Sequence, residues 1–138
     1  MTAPGTGAPA GGPDVAEHNA RWLQAWSDKD VDRLVEFYSP ATVYRDPQVP
    51  DGLRGRDALR GYLEGLFAAT PPMTYEPDQV WPTADGWCGR WICRIDLPDG
   101  TTSWLRGFDL VVLDDDGITL NEVYTHTLTA DPRAETEA

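Results

Sequence analysis

The stretch TVYRDPQVPDGLRGRDAL, residues 42–59, carries an aspartate in a position that suits chemistry. Tyr44 and Asp46 alternate along a short strand pattern that Pro47 must end, because proline has no N–H to give to a ladder. An aspartate before a proline can serve as a turn former, its carboxylate bonding the backbone locally. The same stop leaves the carboxylate at the strand's end on the face of Tyr44, where a general base could stand. A second candidate is Asp109. In SWLRGFDLVVL a period of two puts Leu105, Gly107, Asp109, Val111 and Leu113 on one face, and Trp104, Arg106, Phe108, Leu110 and Val112 on the other. If the first face is buried, Asp109 is a carboxylate in an apolar site, and it must be paired, protonated or retained for function; if exposed, it is ordinary.

Other chemistries have poorer support. Glu122, His126 and scattered aspartates do not reach metal-ligand spacing with a cysteine or a second nearby histidine, so no metal is expected. There is no G-x-S-x-G elbow, and neither Cys88 nor Cys93 has an adjacent base in sequence. These two cysteines lie five residues apart in one strand-like segment and so point to opposite faces, which predicts reduced packing residues. GRDALRG lacks the spacing and the lysine of a phosphate loop.

The elements that must position the carboxylates can be read in order. Asp14 is a candidate cap for a helix through VAEHNARWLQAWSD, with Val15, Trp22, Leu23 and Trp26 on one face and the polar Asn19 interrupting it. Asp30 is a candidate cap for a second, shorter helix whose stripe is Val31, Leu34, Val35 and Tyr38, ended by Ser39-Pro40. After the strand ATVYRDP, a third helix presents Leu59, Tyr62, Leu63, Leu66 and Phe67 before Pro71-Pro72. From Met73 onward four strand-like runs are separated by Ala84-Asp85-Gly86, Pro98-Asp99-Gly100 and Asp115-Asp116-Gly117, all hairpin-turn chemistry. The order helix, helix, strand, helix, four strands predicts an α+β domain whose mostly antiparallel sheet curls around the helices. Register is open at Pro98-Asp99-Gly100: a two-residue turn sets Ile92 and Arg94 beside Asp109, whereas a three-residue loop sets Trp91, Cys93 and Ile95 there. The second gives a consistent apolar wall and is preferred; in the first, Arg94 could neutralise Asp109.

With 138 residues and 41% hydrophobic content, one domain is expected, over residues 14–129. Residues 1–13, mostly small residues, glycine and proline, predict a disordered tail, and the polar residues 130–138 predict another. A net charge of -12, with Lys29 the single lysine, argues against nucleic acid or an anionic membrane surface and favours neutral or cationic small molecules. No secretory signal or membrane-spanning run is evident, so a cytoplasmic location is expected.

The element order, together with SPATVYRDPQVPDGLRGRDALRGYL and GFDLVVLDDDGITLNEVY, resembles the nuclear transport factor 2-like superfamily in its SnoaL-like polyketide cyclase and ketosteroid isomerase branch, over about residues 16 to 128. The resemblance implies a cone, with a strongly bent sheet wrapped around three helices and a pocket between them. Ketosteroid isomerase, a familiar case of tuned carboxylates, pairs an aspartate base with an oxyanion hole made of a tyrosine and a protonated aspartate. By resemblance the base is Asp46, the protonated acid Asp109, and the position of the helical tyrosine Trp22, which donates one N–H. The cone would also turn Glu122, Tyr124 and His126 of NEVYTHTL into the pocket, and Val123, Thr125 and Thr127 outward; the alternative is a solvated polar face with the second set packed inward. Expected catalytic residues are then Asp46, Asp109 and His126, and expected substrate contacts are Trp22, Trp26, Tyr44, Tyr62, Trp91, Leu105, Glu122 and Tyr124.

These residues point to a cofactor-independent isomerase or cyclase acting on a carbonyl-containing hydrophobic substrate of polyketide, terpenoid or steroid type, with Asp46 moving the proton. Epoxide opening by the same carboxylates is a variant. The alternative is a non-catalytic ligand-binding or dimerisation module, since fold does not imply function. The resemblance also implies a homodimer paired through the outer sheet face, with Trp104, Phe108 and Leu110 as candidates.

Overall fold

A computed structural model describes residues 13–133. The expected tails over 1–13 and 130–138 lie outside these residues, except for Pro13 and 130–133. Helix α1 spans Pro13–Asp28 and α2 spans Val31–Glu36; strands β1 (Tyr38–Arg45) and β2 (Leu53–Arg54) precede α3 (Arg56–Ala69), and β3 (Met73–Thr83), β4 (Gly86–Asp96), β5 (Thr102–Asp114) and β6 (Gly117–Leu128) follow. The six strands form one open sheet in the order β2-β1-β6-β5-β4-β3, with every pairing antiparallel except the parallel β1–β6 pair. The result is a cone-like α+β fold in which the three helices of the N-terminal half pack into the concave side of the sheet. No helix among the described residues is long and apolar enough to cross a membrane.

Local chemistry accounts for most of the boundaries. Asp30 caps α2 by accepting from the Arg33 N–H, and Leu34 and Val35 carry its buried stripe. Tyr38 does not continue that stripe as expected. Phe37 is the C-cap and Tyr38 opens β1, because the Phe37 carbonyl is taken by the Ile118 N–H of β6. The two-residue β2 was also absent from the sequence reading; it pairs Val43 with Arg54 and Tyr44 with Leu53. On α1 the buried face contains Val15, Trp22, Leu23 and Trp26, and the interrupting Asn19 is buried because its Oδ1 accepts from Trp87 Nε1 at 3.0 Å. Pro77 sits within β3, which tolerates it as an edge strand with a bulge between Pro77 and Gln79.

The β4–β5 hairpin takes the three-residue loop. Leu97 N–H donates to Thr101 O at 2.9 Å across Pro98-Asp99-Gly100, and Gly100 has φ +88, a left-handed conformation that favours glycine. The register that follows pairs Gly89 with Asp109, Trp91 with Gly107 and Cys93 with Leu105. Trp91, Cys93 and Ile95 therefore share the inner face with Asp109, and Arg94 lies outside.

Candidate active site

Strand β1 ends at Arg45, and Asp46 follows on the cone's rim. Its Oδ1 accepts the Gln48 N–H at 2.8 Å and the Val49 N–H at 3.2 Å, the local turn expected of an aspartate before proline. Its Oδ2 faces the interior and accepts two phenols, Tyr44 at 2.8 Å and Tyr62 at 2.7 Å. Turn and site are thus served by different oxygens of one carboxylate. Burial first, and then the charge of Asp46, raises the Tyr44 hydroxyl well above its usual range. Burial, the bond to Asp46 and its charge do the same for Tyr62. Both remain protonated donors.

Asp109, from the middle of β5, is 2% exposed. Burial pushes its carboxyl up to about 7; the Trp91 and Asn121 donors pull the other way, and the charge of Asp46 adds a smaller upward push. Trp91 Nε1 donates to Oδ1 at 3.1 Å and Asn121 Nδ2 donates to Oδ2 at 3.3 Å. Behind them runs a buried relay: Trp22 Nε1 donates to Tyr38 Oη at 3.3 Å, and Tyr38 Oη donates to Asn121 Oδ1 at 2.9 Å. That second bond orients the Asn121 amide with its N–H toward Asp109. Since both neighbours of Asp109 are donors, a proton on its carboxyl has no acceptor in this set. Gly107 makes the arrangement possible, because a Cβ there would lie 2.1 Å from the Trp91 ring. The bare backbone lets the indole lie across β5 and reach Asp109.

Asp46 and Asp109 line one cavity of about 200 Å³ together with Trp26, Tyr44, Phe67, Tyr75, Trp91 and Leu105. Among the described residues, the lining contains no arginine, lysine or histidine. Of the expected contacts, Trp26, Tyr44, Trp91 and Leu105 are on the wall, and Tyr62 reaches it through its bond to Asp46. Trp22 is not on the wall; at 1% exposure it lies behind it, its N–H committed to Tyr38.

The last strand takes the alternative face. Asp109 pairs with Val123 and Phe108 with Tyr124, so Val123 and Thr125 point inward while Glu122, Tyr124 and His126 share the outer face with Phe108 and Leu110. Glu122 is held there by Arg45 at 2.7 Å and accepts from Tyr124 Oη at 3.0 Å, and His126 is exposed. Glu122 and Tyr124 instead line an adjoining groove of about 330 Å³, which shares Asp46, Pro47, Val123 and Thr125 with the cavity. Asn121, Tyr38 and Tyr75 are the functional candidates that the sequence reading missed. For Asn121 a signal existed: it alternates with Val123 on the inward face and is the one amide there.

Comparison with known proteins assigns a family. Residues 19–121 match the SnoaL-like domain, and the chain belongs to that family. No curated protein matches the chain. Among solved structures, it is similar to a hypothetical protein of ketosteroid isomerase-like fold from Catenulispora acidiphila in complex with trimethylamine, at 16% identity and TM-score 0.69, covering 83% of this chain and 86% of the other. It is also similar to SalBIII, an epoxide hydrolase/cyclase-like enzyme of pyran ring formation in polyether salinomycin, at 23% identity and TM-score 0.68, with 82% and 91% covered. A third is a Mycobacterium tuberculosis protein in complex with estradiol-17beta-hemisuccinate, at 16% identity and TM-score 0.64, with 82% and 93% covered.

Proposed function

We propose that the protein is a cofactor-independent acid/base enzyme, an isomerase or cyclase that moves a proton within a neutral, carbonyl-containing hydrophobic substrate. The observation that carries this reading is the pair of carboxylates on one apolar wall, Asp46 among four donors at the rim and Asp109 buried and pushed up to about 7. Asp46 removes the proton adjacent to the carbonyl, with the Tyr44 and Tyr62 hydroxyls following the charge. Neutral Asp109 gives its O–H to the oxygen as that oxygen becomes an enolate, a transfer of negative charge into a site built of donors. Ring closure uses the same parts, with Asp46 activating a hydroxyl. The epoxide hydrolase/cyclase-like enzyme SalBIII and the steroid ester held by the Mycobacterium tuberculosis protein fit a hydrophobic ligand in this cone.

The inner cavity is smaller than the roughly 300–1,000 Å³ typical of sites for drug-sized ligands, so a larger substrate extends into the groove at Arg45, Glu122 and Tyr124. There Glu122 and Tyr124 contact substrate from outside the cone.

The test uses a small β,γ-unsaturated cyclic ketone, followed by the absorbance of its conjugated isomer. Asp46→Asn should keep the fold and bind the ketone within a small factor of wild type while losing roughly 10²-fold or more of its turnover. Unchanged turnover would remove Asp46 as the base. The second reading, a binding module without chemistry, is favoured by one observation: the four hydrogen bonds to Asp46 already occupy about as many positions as a carboxylate offers. Binding without conversion in wild type would decide for it. The protein is further proposed to pair through the outer sheet face, where Trp81 and Phe108 stay 41% and 39% exposed and lie tilted against each other, centroids 5.9 Å apart.

A further inference from the structure

A phenol O–H in a wall needs an acceptor or a ligand, and four of the five tyrosines find an acceptor within the protein. Tyr38 donates to Asn121, Tyr44 and Tyr62 donate to Asp46, and Tyr124 donates to Glu122. Tyr75 differs. Its main chain is tied to Ser27, the N–H donating to Oγ at 2.8 Å, but its hydroxyl meets no acceptor among the described residues. Its side chain forms part of the cavity wall.

The ring also stands between the two carboxylates. On one side it meets Trp91 edge-on, centroids 5.0 Å apart, and Trp91 is the donor to Asp109. On the other it tilts against Trp26 at 5.9 Å, and Trp26 stacks on Tyr44, a donor to Asp46. Two of the three indole donors near the site are committed, Trp22 to Tyr38 and Trp91 to Asp109, and the third, Trp26, also bears on the Tyr38 oxygen. Gln48 and Thr125 carry polar groups on the same lining, but both are exposed at its mouth. Burial, and then the neighbouring Cys93, Asp109 and Asp46, raises the Tyr75 phenol, so it stays protonated and keeps an O–H to donate.

We propose that Tyr75 is a catalytic hydrogen-bond donor, placing its O–H beside that of Asp109 on the substrate oxygen that gains negative charge. This rests on the acid/base reading above, and its test separates the two. Tyr75→Phe removes the O–H and keeps the ring. Binding of β-naphthol and of β-methylnaphthalene, which has a methyl in place of the hydroxyl, is measured by calorimetry on the full chain. The variant should weaken β-naphthol roughly five- to tenfold and leave β-methylnaphthalene within about twofold. On the β,γ-unsaturated ketone it should lower kcat about tenfold or more with KM nearly unchanged. Equal loss for both naphthalenes, or for neither, overturns the role of Tyr75 while the Asp46→Asn result stands. Wild type binding neither compound overturns both readings.

Discussion

Asp109 can be tested by the proton it holds. The folded chain keeps that proton up to about 7, whereas the unfolded chain releases it near 3.8. Between those values the native state binds more protons, so this contribution to stability is fully present below 3.8 and is lost as pH rises through about 7. His18 acts with the opposite sign: burial, and then Arg21, lowers it from 6.5, so its contribution is lost as pH falls below that value. Subtracting an Asp109→Asn variant from wild type cancels His18. The variant should gain melting temperature relative to wild type as pH is raised from about 5 to about 8, read by thermal unfolding. A difference that does not change with pH would mean that Asp109 has an ordinary carboxyl. Asp46 carries the complementary lesson. Its residue type and the proline after it were legible as a turn and as a possible base; that its two oxygens divide those roles depends on Tyr62, from another element, meeting Oδ2.

The elements are tied together by contacts that no periodicity reveals. Lys29 lies between α1 and α2 at φ 54, the left-handed position after a helix end, with Asp30 N–H returning to Ala25 O at 3.2 Å. Its ammonium reaches the end of α3, donating to Phe67 O at 3.2 Å, Thr70 O at 2.7 Å and Pro71 O at 2.9 Å. Phe67 O belongs to the last turn of α3, whose carbonyls a helix end leaves without partners, and the other two follow it at the C-cap and just beyond; Leu66, Phe67 and Thr70 line the cavity. Lys29→Met should therefore lower stability by about 2 kcal/mol, measured by urea unfolding, and loosen that part of the wall. A change under about 0.5 kcal/mol would be that of an ordinary surface lysine. In sequence Lys29 is the single lysine of an acidic chain, and nothing local assigns it a partner some forty residues away. The inward face of β6 was undetermined for a related reason. Both sets of NEVYTHTL are compatible with a half-buried strand, and only pairing with β5, Asp109 opposite Val123, selects one.

For the molecule as a whole, the convex side of the sheet presents Trp81, Phe108 and Tyr124 to solvent, with Arg90 5.5 Å over the Trp81 ring. Under the pairing proposed above, wild type should sediment as a dimer at micromolar concentration, and Phe108→Asp as a monomer with an unchanged melting profile at low concentration. A monomeric wild type would end that proposal. By itself, the sequence determined the helices, the four long strands, their turns and the α+β class, because each rests on local signals: hydrophobic period, capping residues, and Gly, Pro and Asp at turns. It also singled out two carboxylates, Asp46 just past the end of a strand and Asp109 within one. Only the tertiary structure decided that β1 runs parallel to β6, that Val123 and Thr125 rather than Glu122, Tyr124 and His126 face the cavity, and that Trp22 serves Asp109 through Tyr38 and Asn121. Those facts depend on register between distant segments and on donors meeting acceptors across the core. A pattern within one strand repeats every second residue and is the same for either face.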